Sequence, residues 1–301
     1  MEKNDITPEL VRALVAERFP QWSHLAVEPV ELDGWDNTTF RLGEKLSVRL
    51  PSGDDYVPQV RKEHQWLPVL APHLPLPIPE PLAVAEPSSR FGRPWSVYRW
   101  IPGAHATIER VPDRTQFALD LADFLDSLYG IDASDGPRAS WEHSAFRGCP
   151  LSVWDAHTRA VVADLEPEVD ARNCRAVWSR ALATAWDKPP VWFHGDTTAS
   201  NLLVRDGRLR AVIDFGCAAV GDPACDLVIA WTFFEGDSRR AFRDRIYMDD
   251  DTWARARGWA LWKALITQHE GVRSGDVDDT GARFGWRVDA LSLIRELCTD
   301  E

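Results

Sequence analysis

The residue types best suited to chemistry lie close together in one stretch. His194-Gly195-Asp196-Thr197-Thr198-Ala199-Ser200-Asn201 puts a carboxylate five positions before a carboxamide, and Asp214-Phe215-Gly216 follows. Each fragment is common alone. In this order, with apolar runs at Leu202–Val204 and Leu209–Ile213 between them, they fit the needs of phosphoryl transfer. A γ-phosphoryl group needs divalent cations to neutralise its charge and a group to orient the attacking hydroxyl. Asp214 is expected to bind Mg²⁺ between the phosphates, with Asn201 as a second, neutral oxygen ligand, because Mg²⁺ prefers hard oxygen donors. Asp196 is expected to sit where a substrate hydroxyl arrives, accepting its proton or its hydrogen bond. His194 is expected to brace the loop through hydrogen bonds without touching substrate.

Elements must hold these residues in place. Thr7-Pro8-Glu9 opens a helix, with Leu10, Leu14 and Val15 at helical spacing. Val27–Leu32, Thr38–Leu42 and Leu46–Leu50 read as three strands joined by tight turns at Asp33–Asn37 and Gly43-Glu44, so an antiparallel sheet is expected. Gln59–Leu70 reads as a helix that Pro68 should end early or kink. Pro72, Pro75, Pro77, Pro79, Pro81 and Pro87 make the next stretch extended and stiff. Trp95–Ile101 reads as a further strand closed by Pro102-Gly103, where a boundary between two lobes is placed, giving residues 1–101 and 102–301. Beyond it the pattern is mainly helical, at 116–129 with Gly130 as its C-terminal cap, and near 152–164, 173–186, 223–235, 252–270 and 283–298. A β-rich island at Val191–His194, Leu202–Val204 and Leu209–Ile213 interrupts the helices.

Composition narrows the partners. A net charge of −13 without a basic block argues against nucleic acid or an anionic membrane and favours a cationic small molecule. Five scattered cysteines, an odd number without metal-ligand spacing, suit reduced thiols in a cytoplasm. The N-terminus reads as amphipathic, not as an apolar signal, and no run approaches the ~18 apolar residues of a membrane span. Most of the 15 Trp residues are expected in the core, with Trp231 and Trp262 as candidates to stack on a substrate ring.

His194-Gly195-Asp196-x-x-x-x-Asn201 with Asp214-Phe215-Gly216, and then Gly221-Asp222-Pro223-x-x-Asp226-Leu227, resembles the aminoglycoside phosphotransferase family. Protein kinases carry Arg where this chain has Gly195, and they need a long peptide platform that the short run from Gly216 to Asp226 does not supply. The resemblance implies an α+β, two-lobed protein-kinase-like fold with a small antiparallel-sheet lobe and a larger helical lobe. It implies a kinase moving the γ-phosphoryl of ATP or GTP, with Mg²⁺, to a hydroxyl of a small molecule, foremost an aminoglycoside-type antibiotic. Macrolides, cationic peptide antibiotics, homoserine, choline and fructosamines are alternative acceptors on this scaffold. A catalytically silent nucleotide- or ligand-binding protein is the alternative from another class.

The resemblance further implies that Gly34-Trp35-Asp36-Asn37-Thr38 covers the nucleotide, with Asn37 and Thr38 as contacts. Arg49 stands where kinases place a phosphate-binding lysine, and Glu63 is its expected partner. Trp95–Trp100, through Ser96, Tyr98 and Trp100, would form the hinge that meets the purine. Relatives hold substrate amines with acidic residues of the helical lobe. The candidates here are Asp155, Glu235, Asp237, Glu270 and the run Asp249-Asp250-Asp251. Many relatives end the first helix of that lobe with Leu-His, where this chain has Leu128-Tyr129.

Overall fold

A computed structural model describes residues 3–30, 34–274 and 281–299. The chain forms two compact units. The first takes residues up to Pro72, then Pro77–Pro102 and Asp214–Gly216; the second takes His73–Leu76, Gly103–Ile213 and residues from Cys217 onward.

In the first unit, α1 (Pro8–Arg18) starts at Thr7, whose side chain accepts from the Leu10 amide. The sheet holds β1 (Val27–Pro29), β2 (Asn37–Leu42), β3 (Leu46–Pro51), β4 (Pro81–Ala85) and β5 (Trp95–Arg99). Its order is β1-β2-β3-β5-β4, and every pairing is antiparallel. Val11, Leu14 and Val15 of α1 pack with Phe40, Val48, Leu50, Trp95 and Val97 in one apolar cluster. The first strand is shorter than expected, because Pro29 cannot continue a ladder, and Glu31, Leu32 and Asp33 lie outside the described residues. Pro51 ends β3 from within, paired with Asn37. The helix α2 (Val57–Leu70) begins before Gln59, with Pro58 in the first turn where a missing amide costs nothing, and it runs past Pro68 to Leu70. The expected strand Trp95–Ile101 stops at Arg99, although the Trp100 amide still donates to Lys45 O at 2.8 Å.

The second unit is mainly helical. Its α3 (Arg114–Tyr129) is capped by Asp113, which accepts from the Gln116 amide, and buries Phe117, Leu121, Phe124, Leu125 and Leu128. Gly130 is the C-terminal cap as expected, at φ −79°, and closes the helix by donating to Asp126 O. There follow α4 (Trp141–Ser144), α5 (Asp155–Asp164) and α6 (Ala171–Leu182). The helix expected at 223–235 is a 3₁₀ segment, Pro223–Val228, running into the short α7 (Ile229–Thr232). A separate α8 (Gly236–Ile246) was hidden from the pattern because its residues are mostly charged. The long α9 (Asp250–Ser274) and α10 (Ala290–Thr299) complete the unit; α10 begins later than 283 because Asp289 supplies the cap to the Ser292 amide. Gly258 of α9 lets α6 come close, since a Cβ there would lie 2.5 Å from Ala181 Cβ.

Two small sheets interrupt the helices. One pairs β7 (Val191–Phe193) with β10 (Ala219–Gly221); the other has order β6-β8-β9, from β6 (Ala104–His105), β8 (Leu202–Arg205) and β9 (Arg208–Val212). They anchor both ends of the loop that carries Asp196. The expected α+β class, a small antiparallel-sheet unit followed by a larger helical one, is the class observed. All five cysteines are free thiols, and among the described residues no helix is long and apolar enough to cross a membrane.

Candidate active site

The catalytic-type loop is hung on one buried carboxylate. Asp226, wholly buried, accepts from the His194 amide at 2.8 Å, the Gly195 amide at 2.6 Å and the Thr197 hydroxyl at 3.2 Å. Burial pushes its pKa above the ordinary aspartate range, against the pull of His194 and of those donors. Tyr129, the departure from the Leu-His pattern, sets its hydroxyl 3.5 Å from Asp226 Oδ2, a weak contact at the edge of hydrogen-bonding range. Nearby, Asp222 and Arg255 form a buried pair at 2.6 Å that fixes the start of the 3₁₀ segment to α9.

His194 braces the loop as expected. Its Nδ1 accepts from the Asp196 amide at 3.3 Å, so Nε2 carries the proton donated to Ile213 O at 3.0 Å. Gly195 sits at φ +86°, and a Cβ there would lie 2.7 Å from Cys217 O. An L side chain at that φ is strained whatever room it finds. Gly195→Ala is therefore expected to lower stability by about 1–3 kcal/mol and to cut turnover, read from a urea melt and a rate assay. An unchanged unfolding midpoint would show that the loop tolerates the side chain.

Asp196 is gripped on both oxygens. Lys263 Nζ of α9 donates to Oδ1 at 2.7 Å, and Asn201 Nδ2 donates to Oδ2 at 3.1 Å and to Asp196 O at 2.9 Å. Burial works to raise the Asp196 pKa, but Lys263 and then Arg147 outweigh it and bring it to about 2. The group is a fixed, ionised carboxylate at neutral pH. Asn201 spends its amide hydrogens on Asp196 and leaves Oδ1 for another partner, the hard neutral oxygen a Mg²⁺ ion takes. The Ile213 amide donates to Asn201 O at 2.9 Å, which ties the loop to the residue just before Asp214.

In the first unit, Asp214 adopts φ +65°, a left-handed conformation that Asp tolerates better than most residues. Its Oδ1 accepts from Arg49 Nη2 at 3.2 Å, and Arg49 Nη1 lies 3.3 Å from both Glu63 oxygens. Burial opposes the Arg49 charge, yet Glu63 and Asp214 together hold its pKa above the ordinary range. Tyr98 donates its hydroxyl to Glu63 and lies under the Arg49 guanidinium, 5.4 Å from carbon to ring centre. One face of α2 serves the Asp214–Gly216 segment. Lys62 Nζ donates to Gly216 O at 2.6 Å, and Gln59 is close enough that a Cβ on Gly216 would lie 2.7 Å from its Oε1.

The remaining nucleotide candidates lie in or beside this sheet. Ser96 pairs with His64 at 2.9 Å, and Trp100 lies under Arg41 at 5.1 Å. Asn37 and Thr38 are buried at the start of β2, and Thr38 Oγ1 has no hydrogen-bond partner among the described residues. The Arg49 guanidinium, fixed by two carboxylates, fits a phosphate-bearing ligand. Among the described residues no cluster of three or more His, Cys, Asp or Glu could hold a metal by itself. Mg²⁺ bound through one or two protein oxygens and substrate phosphates needs none.

None of the acidic candidates for substrate amines lines the cavity at Asp196. Asp155 accepts from the Trp178 indole at 2.8 Å and pairs with Arg159 at 2.7 Å. Glu235 starts α8 and lies 3.5 Å from Arg114, Asp237 pairs with Arg240, and Glu270 is exposed on α9. Asp249 pairs with Lys188, Asp251 pairs with Arg180 at 2.8 Å, and Asp250 lines a separate cavity of ≈ 240 Å³ with Trp231 and Trp253. Instead Asp196 shares a cavity of ≈ 10 Å³ with Arg147, Trp259, Trp262 and Lys263. Sequence reasoning missed Lys263 and Arg147, which belong to no local motif and reach the loop from far along the chain.

Similarity to known proteins follows the same lines. Residues 27–259 match the phosphotransferase enzyme family, which covers most of the chain. An aminoglycoside 3′-phosphotransferase of Escherichia coli is 31% identical over 118 residues, 38% of this chain and 42% of that enzyme. The chain thus spans less than half the length of that relative. A hygromycin-B 4-O-kinase of Escherichia coli is 23% identical across 97% of this chain and 87% of its own length. Among solved structures, the GDP and kanamycin complex of an APH(2″) enzyme superposes with a TM-score of 0.73 at 21% identity, covering 95% of this chain and 97% of that one. A macrolide 2′-phosphotransferase of Brachybacterium faecium gives a TM-score of 0.60 at 22% identity, covering 92% and 97%. With the loop of Asp196 and Asn201 and the Asp214 segment built as described, the chain belongs to the phosphotransferase enzyme family.

Proposed function

We propose that this enzyme transfers the γ-phosphoryl group of ATP or GTP to a hydroxyl of a small antibiotic-type molecule in the cytoplasm. The observation that carries the reading is Asp196, an ionised carboxylate held at both oxygens by Lys263 and Asn201. A carboxylate so placed can accept the hydrogen bond of the acceptor's hydroxyl and orient it without first reorganising, taking its proton only as the oxygen bonds to phosphorus. Arg49, fixed by Glu63, supplies a permanent charge for the nucleotide phosphates, and Asn201 Oδ1 with Asp214 supplies the oxygens for Mg²⁺. When bound, Mg²⁺ would neutralise charge on the phosphates. Asn37, Thr38, Ser96, Tyr98 and Trp100 would line the nucleotide. Phosphotransferases with aminoglycoside, hygromycin and macrolide acceptors all share this similarity, so the acceptor belongs among hydroxylated antibiotics, aminoglycosides first.

The direct test is transfer of labelled phosphate from ATP or GTP, with Mg²⁺, to a panel of aminoglycosides, hygromycin B and macrolides. Labelled acceptor that disappears on chelation of Mg²⁺ is the expected result. No labelled acceptor and no Mg²⁺-dependent nucleotide binding would refute the proposal.

A further inference from the structure

The cavity beside Asp196 carries a chemistry at odds with the chain's net charge of −13. It is lined by one carboxylate, Asp196, and two cations, Lys263 and Arg147, so its local charge is positive. Lys263 is part-buried against the Phe284 ring, 4.9 Å from nitrogen to ring centre, and Arg147 lies over the Trp262 ring at 5.1 Å. Trp262 also packs on Trp154, with ring centres 5.0 Å apart, so the cations rest on a rigid aromatic wall. Trp259 and Trp262 are 2% and 4% exposed, and neither indole Nε1 has a hydrogen-bond partner among the described residues. A buried N–H left unpaired is costly, and such groups are normally satisfied by water or ligand. At ≈ 10 Å³ the cavity has room for about one water, or for one substituent of a larger molecule.

The two charged groups on this lining besides Asp196, Lys263 and Arg147, can only donate. An ammonium group has no acceptor to offer such a wall and would meet two cations of its own sign; a hydroxyl, ether or carboxylate oxygen can accept from them.

We propose that the acceptor presents an oxygen-bearing, amine-free group next to the hydroxyl that Asp196 activates, and that Lys263 and Arg147 select for it. The proposal rests on the phosphotransferase reading and narrows its substrate class. A polycationic antibiotic fits if its amines lie away from the acceptor hydroxyl. Lys263 is then a positioning residue for Asp196 as well as a filter on the acceptor.

The test uses two acceptors identical except at the carbon next to the reactive hydroxyl, one bearing a hydroxyl there and the other an amine. The full-length enzyme is expected to favour the hydroxyl form by at least about tenfold in kcat/KM, from like-charge repulsion at close range. The preference should lie mainly in KM. Arg147→Gln should shrink it, read as the ratio of kcat/KM on the two acceptors, and Lys263→Glu should reverse it in binding even where turnover is lost. Lys263→Arg should keep the preference, which a merely structural lysine would not require. Thermal shifts with the same two acceptors give a binding readout independent of turnover, since a ligand of the native state raises its unfolding temperature. Equal or better use of the amine form, with equal or larger thermal shifts, would overturn the proposal. A failure of the phosphotransferase reading looks different: no phosphate transfer to either acceptor and no Mg²⁺-dependent nucleotide binding.

Discussion

Asp196→Ala is expected to lower kcat by about 10²–10⁴-fold, the range for loss of a general base, with nucleotide affinity nearly unchanged. The two outcomes separate because Asp196 is bound to Lys263 and Asn201, while Arg49, Glu63 and Asp214 form their own network. The substitution also frees Lys263, whose charge then lacks its carboxylate partner. Asp196→Asn is the companion variant, since it keeps the shape and an oxygen for Lys263 while removing the basicity. Steady-state kinetics with a direct nucleotide-binding titration decide the matter. If nucleotide binding collapses while the rate per bound complex stays normal, Asp196 serves the nucleotide and the base lies elsewhere.

Removing Asp226 should strike the fold of the loop before it touches the chemistry. Its carboxylate is an acceptor for the His194 and Gly195 amides, and both donors are buried. Each buried donor left unpaired costs about 1–3 kcal/mol, so Asp226→Ala is expected to cost about 2–6 kcal/mol. Asp226→Asn should do less damage, because its carbonyl oxygen can still accept one amide. Urea melts of the two variants give the comparison, and activity of the folded fraction should fall in both as Asp196 loses its mount. Equal midpoints for Ala and the parent would mean that water replaces the carboxylate, and that the loop is held by its strands alone.

Much of this site was readable as a string. His194, Asp196, Asn201 and Asp214 announce themselves because the chemistry fixes both their types and their order, and short strands must separate them. The antiparallel sheet was readable for a similar reason: apolar alternation and turn residues are local signals. The limits of strands and helices moved where a backbone group found a partner from outside the pattern, as at α10, whose start Asp289 decides. The helix α8 stayed hidden because its charged sequence offers too few apolar residues to mark a buried face.

By itself the sequence determined the family, and it named the residues proposed as metal oxygens and as base, since these depend on residue type and near spacing. It also placed Gly195, although only the backbone gives the reason: φ +86° and a contact of 2.7 Å that no Cβ could make. Tertiary structure decided what surrounds Asp196. Lys263 comes to Asp196 across 67 residues and Asp226 to the Gly195 amide across 31, and no local pattern encodes such meetings. Electrostatics there depends on separation in space, so a chain of strongly negative total charge can set two cations beside the carboxylate of Asp196.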